Sequence, residues 1–380
     1  MNQHANIIIA GAGGIAEAAG LILAERSKVA PSISIGNRTL SKAQDVARWI
    51  EMGTPKARAV KAFELNPNEL PEQAKAIFQR GDILLDCLPG SLAPQMARYA
   101  KTYHLHYANL TEYVNETNQI LDLAGDAETG FVLQTGLAPG YINVLAHKMF
   151  RDFCDDFKVD KADYLGFKVG ALTHHAVSPH FYGFTWSPVG VATEYIKDAI
   201  VVRNFQKTTL SSLSQRAQLI INGVLYEEDL TSGGAADLPD ALAGRVRTLD
   251  YKTLRHPGHY GWVSNQLKTI GDKEDSIPEL QRVMEEEIPH VEDDQVVLYA
   301  AVEGKDAAGV LRRREVSKRI FPQLVGKHML RAIQATTAAP LIQAAQLLLE
   351  SNRKGVILQS QISPDAFLNG DFVKSVYGEV

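Results

Sequence analysis

The chain is poor in cysteine, with Cys87 and Cys154 the only two in 380 residues. Two thiols cannot build a disulfide framework, so a packed core must supply the stability and a reducing compartment, the cytoplasm, is expected. No apolar run approaches the ~20 residues of a membrane span, and no leader pattern opens the sequence, so no membrane partner is expected. Positive charge is not in excess either. The 39 Lys and Arg face 44 Asp and Glu, a net charge of -5, which offers nucleic acid no electrostatic footprint. Internal repeats and low-complexity tracts are lacking. No histidine has a carboxylate or cysteine beside it at a recognised ligand spacing, so no metal is expected. What is present, 45% apolar and 22% charged residues, is the balance of a globular protein long enough for two domains.

The most informative stretch is Asn-Ile-Ile-Ile-Ala-Gly-Ala-Gly-Gly-Ile-Ala, residues 6 to 16. Ile7 to Ala10 reads as a buried parallel strand that runs into Gly11, Gly13 and Ala16, with a helical pattern after them. Gly11 permits the tight turn, Gly13 lets the backbone approach a pyrophosphate, and Ala16 keeps the helix close to the sheet. A strand before and a helix after are the context this spacing needs to mean a dinucleotide site. Without them it is only a tight turn.

Strand–helix units repeat from there to about residue 150. Strands are expected at Ser32–Gly36, Lys56–Val60, Asp82–Leu88, Leu105–Leu110 and Phe131–Thr135, with a helix over Pro67–Gln79. This alternation predicts a doubly wound parallel sheet whose ligand crevice lies at the carboxyl ends of the strands. Candidate cofactor contacts are therefore Gly11, Gly13, Gly14 and Ile15, then Asn37, Arg38 and Thr39, Leu88 and Pro89, Asn109, and Gly136. Strand two lacks the terminal Asp or Glu that accepts from the ribose of NAD, and has Asn37-Arg38-Thr39 instead. A guanidinium and a hydroxyl suit a 2′-phosphate, which favours NADP(H) over NAD(H). The plainer reading makes Arg38 a solvated charge at a helix start.

From about residue 151 strands follow one another through short turns: Lys161–Leu172, Gln215–Tyr226, Arg245–Leu254, and a pair, Asp294–Gly304 and Val310–Phe321. Helices are expected at Val191–Val202, Gly258–Ile270 and Ser276–Glu287. The sequence thus predicts an α/β chain. Residues 1–150 form the parallel-sheet dinucleotide domain, and 151–325 an α+β domain with a mostly antiparallel sheet for substrate and oligomerisation. A third segment, 326–380, begins with a long helix from about Gly326 to Leu349.

Several ordered segments carry a resemblance. They are Gly11-Ala-Gly-Gly14, Leu88-Pro89, His106-Tyr-Ala-Asn-Leu-Thr-Glu112, Gly136-Leu-Ala-Pro-Gly140 with Asn143, Thr185-Trp-Ser-Pro-Val-Gly190 with Glu194-Tyr195, and Lys252-Thr-Leu-Arg-His-Pro-Gly-His259. Together they resemble the saccharopine dehydrogenase and lysine 6-dehydrogenase family over nearly the whole chain. One departure is Asn109, where the family has Asp. The resemblance implies a Rossmann domain and nicotinamide-linked oxidation, or its reverse, at a C–N bond of an amino acid. It also implies a C-terminal segment that rejoins the first domain and a second domain that pairs subunits into a homodimer.

Such a reaction needs a base to neutralise the amine and a cation for the substrate carboxylate, in a site shared by the two domains. Arg255, at an expected strand end and expected to be wet, is the candidate carboxylate clamp. Lys252, three residues earlier, points to the opposite face of an extended strand. Candidates for the base are Glu112 at the rim of strand five and His175, His180, His256 and His259, with Glu112 and His180 preferred. Each single histidine has a plainer reading as a hydrogen-bonded structural residue, and Glu112 as a helix-start charge. Asn143, Tyr182, Trp186 and Glu194 are candidate substrate contacts. An aromatic cluster such as Phe181, Tyr182, Phe184 and Trp186 is also what a core looks like, and Glu194 could merely satisfy a cap. No base is unmistakable, so a catalytically inactive NADP(H)-binding redox sensor or scaffold is the alternative to an enzyme.

Overall fold

The structure is a computed structural model describing residue 1 and residues 4–271 and 276–379. It divides into two compact units, one of Met1–Tyr141, Gln323–Leu330 and Gln334–Val380, the other of Ile142–Pro322 and Arg331–Ile333. The expected limits at 150 and 325 fall inside a helix, Tyr141–Phe157, and a strand, Gln323–Val325.

The first unit is a parallel sheet with helices between its strands. Its first six strands are β1 (Asn6–Ala10), β2 (Ser32–Asn37), β3 (Lys61–Glu64), β4 (Ile83–Asp86), β5 (His106–Asn109) and β6 (Gly130–Val132). The isoleucines of β1 are buried, as a strand covered on both faces requires. Ala10 lies opposite both Gly36 and Asp86, and Asp86 opposite Asn109. The central strands therefore end in line, and the residues that follow them gather along one edge. β3 lies beyond the expected Lys56–Val60. Phe63 is the residue it buries, and Gly36 leaves the room, since a Cβ there would lie 2.5 Å from the Phe63 ring. The helix expected over Pro67–Gln79 shortens to Glu72–Phe78, with Pro71 as its N-cap. Proline has no amide to donate, and a helix start is where that amide is not needed.

The second unit is a mixed sheet in the order β10-β11-β12-β7-β13-β14. Its strands are β7 (Ala162–Thr173), β8 (Ala199–Arg203), β9 (Gln206–Leu210), β10 (Ala217–Ile221), β11 (Val224–Leu230), β12 (Val246–Arg255), β13 (Asp294–Lys305) and β14 (Leu311–Ile320). Among the described residues only the β12–β7 strand pair runs parallel in this sheet; β8 pairs with β12 and with β9, both antiparallel. Two expected elements are split. Gln215–Tyr226 is not one strand but the β10–β11 hairpin, turned at Asn222 and Gly223, whose φ values are 49° and 79°. Asn-Gly is the pair that a two-residue hairpin turn favours. The helix expected over Val191–Val202 ends at Ile196, and β-branched Ile200, Val201 and Val202 go into β8.

The chain then returns to the first unit. A small hairpin of β15 (Gln323–Val325) and β16 (His328–Leu330) replaces the start of the expected helix, which runs instead from Ala332 to Leu349. Gly326 turns the hairpin at φ +56°, and the His328 ring stacks on Trp49 with centroids 4.2 Å apart. β17 (Gly355–Ile357) pairs in parallel with β6, and the sheet order becomes β17-β6-β5-β4-β1-β2-β3.

Candidate functional site

In the first unit the strand ends build an anion cradle. Gly11 has φ +117° and donates its N–H to Gly36 O at 2.8 Å. A Cβ on it would lie 2.9 Å from the carbonyl oxygen of Cys87, so only glycine fits. Gly13 is different: a Cβ there would meet nothing within 4 Å. It is the N-cap of the helix Gly14–Arg26, which begins with Gly14 and Ile15 and has no side-chain cap. The helix therefore opens with amides that no cap side chain occupies, the arrangement that binds a phosphate. Arg38 and Thr39 are exposed after β2, Asn37 is half-buried and donates Nδ2 to Thr39 O at 3.1 Å, and Arg38 has no carboxylate partner among the described residues. The glycine turn and the open helix start fit the phosphates of a dinucleotide.

The floor of this edge rests on a buried pair that the sequence reading missed. Asp86 accepts from the Tyr107 hydroxyl at 2.7 Å and from Leu88 N at 3.0 Å, which fixes the turn carrying Leu88 and Pro89. Burial pushes its carboxyl up to about 6. The available signal was an Asp inside the apolar run from Ile83 to Leu88. Asn109 accepts from Gln134 N at 2.8 Å through Oδ1, and its backbone oxygen accepts from Thr135 N at 2.9 Å. An acceptor oxygen is what this geometry uses, and Asn supplies it, while its Nδ2 is buried with no hydrogen-bond partner among the described residues. Gly136 donates to Pro139 O at 2.9 Å and accepts from Tyr141 N at 2.8 Å in a tight loop beyond β6. Glu112 is half-buried beyond β5, and burial raises its carboxyl above the ordinary value.

In the second unit several candidates meet around Arg255, the last residue of β12. It is not wet but 1% exposed. Its Nε donates to the Tyr195 hydroxyl at 2.6 Å and its Nη1 to Leu254 O at 3.0 Å. Nη2 is 3.5 Å from the Glu194 carboxylate, and the guanidinium lies 4.9 Å from the centroid of the Tyr182 ring. Glu194 and Tyr195 ride on the helix Pro188–Ile196, capped by Ser187 and begun by Pro188. Trp186 packs on that helix at Gly190, where a Cβ would come within 2.3 Å of the indole.

Behind Arg255 stands His259, fully buried, its pKa lowered to about 3 by burial first and by the Arg255 charge second. It is neutral, so its hydrogen bonds fix the tautomer. Nδ1 lies 2.7 Å from His180 O, which can only accept, so Nδ1 donates. Nε2 then accepts from the Tyr195 hydroxyl at 2.9 Å. The result is a directed chain from Arg255 through Tyr195 and His259 to the His180 carbonyl. His180, itself buried, accepts at Nδ1 from Tyr182 N at 3.3 Å. Tyr182 and Phe184 are core residues, and Trp186 is only partly buried.

The remaining candidates lie apart from this cluster or are otherwise engaged. Asn143 is buried and donates Nδ2 to Gly234 O at 2.9 Å. His256 lies 3.0 Å from Thr173 O through Nε2, and burial lowers its pKa. His175 is exposed beside Asp293. Lys252 points away from Arg255, as the pleat requires, and shares Glu228 with Lys168 at 3.1 and 3.0 Å.

Two family models cover nearly the whole chain. The saccharopine dehydrogenase NADP binding domain matches residues 7–133, and the saccharopine dehydrogenase C-terminal domain matches residues 136–375. The chain belongs to the saccharopine dehydrogenase family. Its fold is also that of two solved enzymes. Apo saccharopine dehydrogenase (L-Glu forming) from Saccharomyces cerevisiae is 16% identical with a TM-score of 0.73, covering 98% of each chain. The homospermidine synthase of Legionella pneumophila, solved in complex with NAD, is 14% identical with a TM-score of 0.73, covering 100% of this chain and 91% of that one. This saccharopine dehydrogenase-like chain has an NADP-binding oxidoreductase fold. None of its helices, among the described residues, is long and apolar enough to cross a membrane.

Proposed function

We propose that the protein is an NADP(H)-linked oxidoreductase acting at a C–N bond of an amino acid, as a cytoplasmic homodimer. The observation that carries the reading is the open cradle at Gly13, with Arg38 lacking a carboxylate partner among the described residues and Asn37 where an Asp or Glu would end β2. A nicotinamide cofactor held by these residues would supply hydride chemistry. Arg38 and Thr39 hold the 2′-phosphate, and the first amides of the helix Gly14–Arg26 face the pyrophosphate.

Arg255 supplies the charge for a substrate carboxylate and Glu194 the charge for its ammonium. The tyrosines around Arg255 keep the guanidinium desolvated, where an ionic contact is stronger than in water. Proton handling falls to Glu112 and His180. The raised carboxyl of Glu112 brings its pKa closer to the range where a general base works near neutral pH.

The test is a titration of wild type and Arg38→Ala with NADPH and NADH. Wild type should prefer NADPH, and the variant should lose about ten- to a hundredfold in NADPH affinity with little change for NADH. A wild-type preference for NADH, or equal losses, overturns the cofactor reading. Turnover of lysine, saccharopine, other diamino acids or their semialdehydes, followed by absorbance of the reduced cofactor, separates an enzyme from a scaffold.

A further inference from the structure

The stretch between β7 and Trp186 begins with two imidazoles that the proposed chemistry leaves unused. His174 and His175 follow Thr173, the last residue of β7, where the chain bends out of the sheet. The β7–β13 register sets Thr173 opposite Asp294. One step further, His174 N donates to Asp293 O at 3.0 Å, which carries His174 and Asp293 side by side past the strand ends. The bend brings His175 to the same place. Its Nε2 is 3.3 Å from Asp293 Oδ2, and its ring meets that of His174 edge-on with centroids 5.5 Å apart. One ligand atom from each of the three residues lies within 4.8 Å of the others, and all three side chains are exposed.

The surrounding chain explains why these residues stay together. The loop that leaves β7 at His174 comes back beside the same strand entry: Phe184 N donates to Pro289 O at 2.8 Å, and Val291 N to Phe184 O at 2.9 Å. Gly183 packs so closely on Val291 that a Cβ would come within 2.6 Å of it. His174 is further braced edge-on against Phe321, centroids 5.5 Å apart. The cluster therefore sits at the mouth of the loop that presents His180 and Tyr182 to the Arg255 cluster.

We propose that His174, His175 and Asp293 bind a divalent transition metal of the Zn2+, Ni2+ or Cu2+ class and fasten the mouth of this loop. Two imidazoles and one carboxylate form a donor set for these borderline ions, with water completing a tetrahedral site for Zn2+. Mg2+ and Ca2+ demand oxygen ligands and are not matched. Bonds of ~2.0–2.1 Å in a tetrahedral site place neighbouring ligand atoms roughly 3.3 Å apart. His175 and Asp293 already stand at that spacing. His174, an exposed side chain, closes the remaining distance by turning its ring away from Phe321.

The experiment uses tag-free, chelator-treated full-length protein. Calorimetric titration with Zn2+ should give one saturable site per chain with a low-micromolar Kd, and Mg2+ should give none. His174→Ala, His175→Ala and Asp293→Asn should each weaken Zn2+ at least about tenfold while leaving the circular dichroism spectrum unchanged. Co2+ should give the visible absorption of a four- or five-coordinate site in wild type, and lose it in the variants. Absence of saturable Zn2+ binding overturns the proposal. So does a site whose affinity is unchanged in all three variants, since that metal would sit on other histidines or thiols. The substitutions are of exposed side chains, so a metal effect and a folding effect are read separately. Neither outcome depends on turnover.

Discussion

Arg255 shows what a single buried cation can demand. Its partners are the Tyr195 hydroxyl, the Leu254 carbonyl and the Glu194 carboxylate. Removing it takes the cation from beside the Glu194 carboxylate and leaves a gap under the Tyr182 and Tyr195 rings, so Arg255→Ala should cost about 3–5 kcal/mol of stability. Arg255→Lys keeps the charge and loses the fork, and is the cleaner probe. It should retain most of the melting temperature and lower kcat/KM for the amino acid about ten- to two-hundredfold, with cofactor affinity unchanged. Unaltered kinetics in a folded Arg255→Lys protein would remove the residue from substrate binding. His259 carries a second prediction. It is neutral when folded, with a value near 3, against an ordinary value of 6.5 when unfolded. Between those values the unfolded chain takes up a proton that the folded one refuses. Its contribution is therefore complete above about pH 6.5 and is lost as pH falls towards 3, by about 1.4 kcal/mol per unit. Denaturant melts of wild type and His259→Gln across that range should show a shallower slope in the variant. Equal slopes would mean that the buried imidazole is not the source. The Lys-Thr-Leu-Arg-His-Pro-Gly-His segment could be picked out in sequence, yet its burial could not. Periodicity marks which face Arg255 takes and says nothing of the tyrosines that cover it, which come from residues 182 and 195.

At the scale of the element, the turn from β1 into its helix separates two kinds of glycine. Gly11 is needed by the fold, through a positive φ and the crowding carbonyl of Cys87. Gly13 has ordinary backbone angles and open space where a Cβ would go. Gly13→Ala should therefore melt within about 1 °C of wild type, since surface substitutions of this kind change stability little. It should still bind NADPH at least about tenfold more weakly, because the methyl stands where the pyrophosphate approaches. A Gly13→Ala protein with normal affinity would end the cradle reading. The strand–turn–helix unit was legible in sequence because three constraints coincide within eleven residues. The β10–β11 hairpin is not, because apolar residues on both sides of Asn222-Gly223 read as one continuous strand and mask the turn pair. β3 was misplaced for the opposite reason. Its identity rests on Phe63 filling the space left by Gly36 on another strand, a tertiary fact that no local pattern carries.

At the scale of the whole molecule, a parallel sheet and a mostly antiparallel one are foreseeable from the alternation of elements in one half and the run of strands in the other, but the parallel β12–β7 pair is not. The return of the C-terminal segment entered through family resemblance, and the structure gives its physical form in β17 beside β6. Assembly is a further prediction at this scale. A closed twofold pair is the commonest way for such a chain to cover exposed sheet surface, and light scattering at micromolar concentration should return twice the monomer mass of 41.7 kDa. A monomer mass would set the homodimer aside.

β17 also bears on how the protein is made. On the ribosome β6 emerges long before Gly355–Ile357, and at ~5–20 residues per second the wait is on the order of ten to forty seconds. Until then β6 shows an unpaired edge, the kind of surface that recruits other chains. The stretch from Ile142 to Pro322 is synthesised during that interval and can fold while the nucleotide sheet is still incomplete. A message truncated shortly before codon 355 would thus yield a nascent sheet with its edge permanently open, and aggregation rather than mere loss of activity is the expected fate.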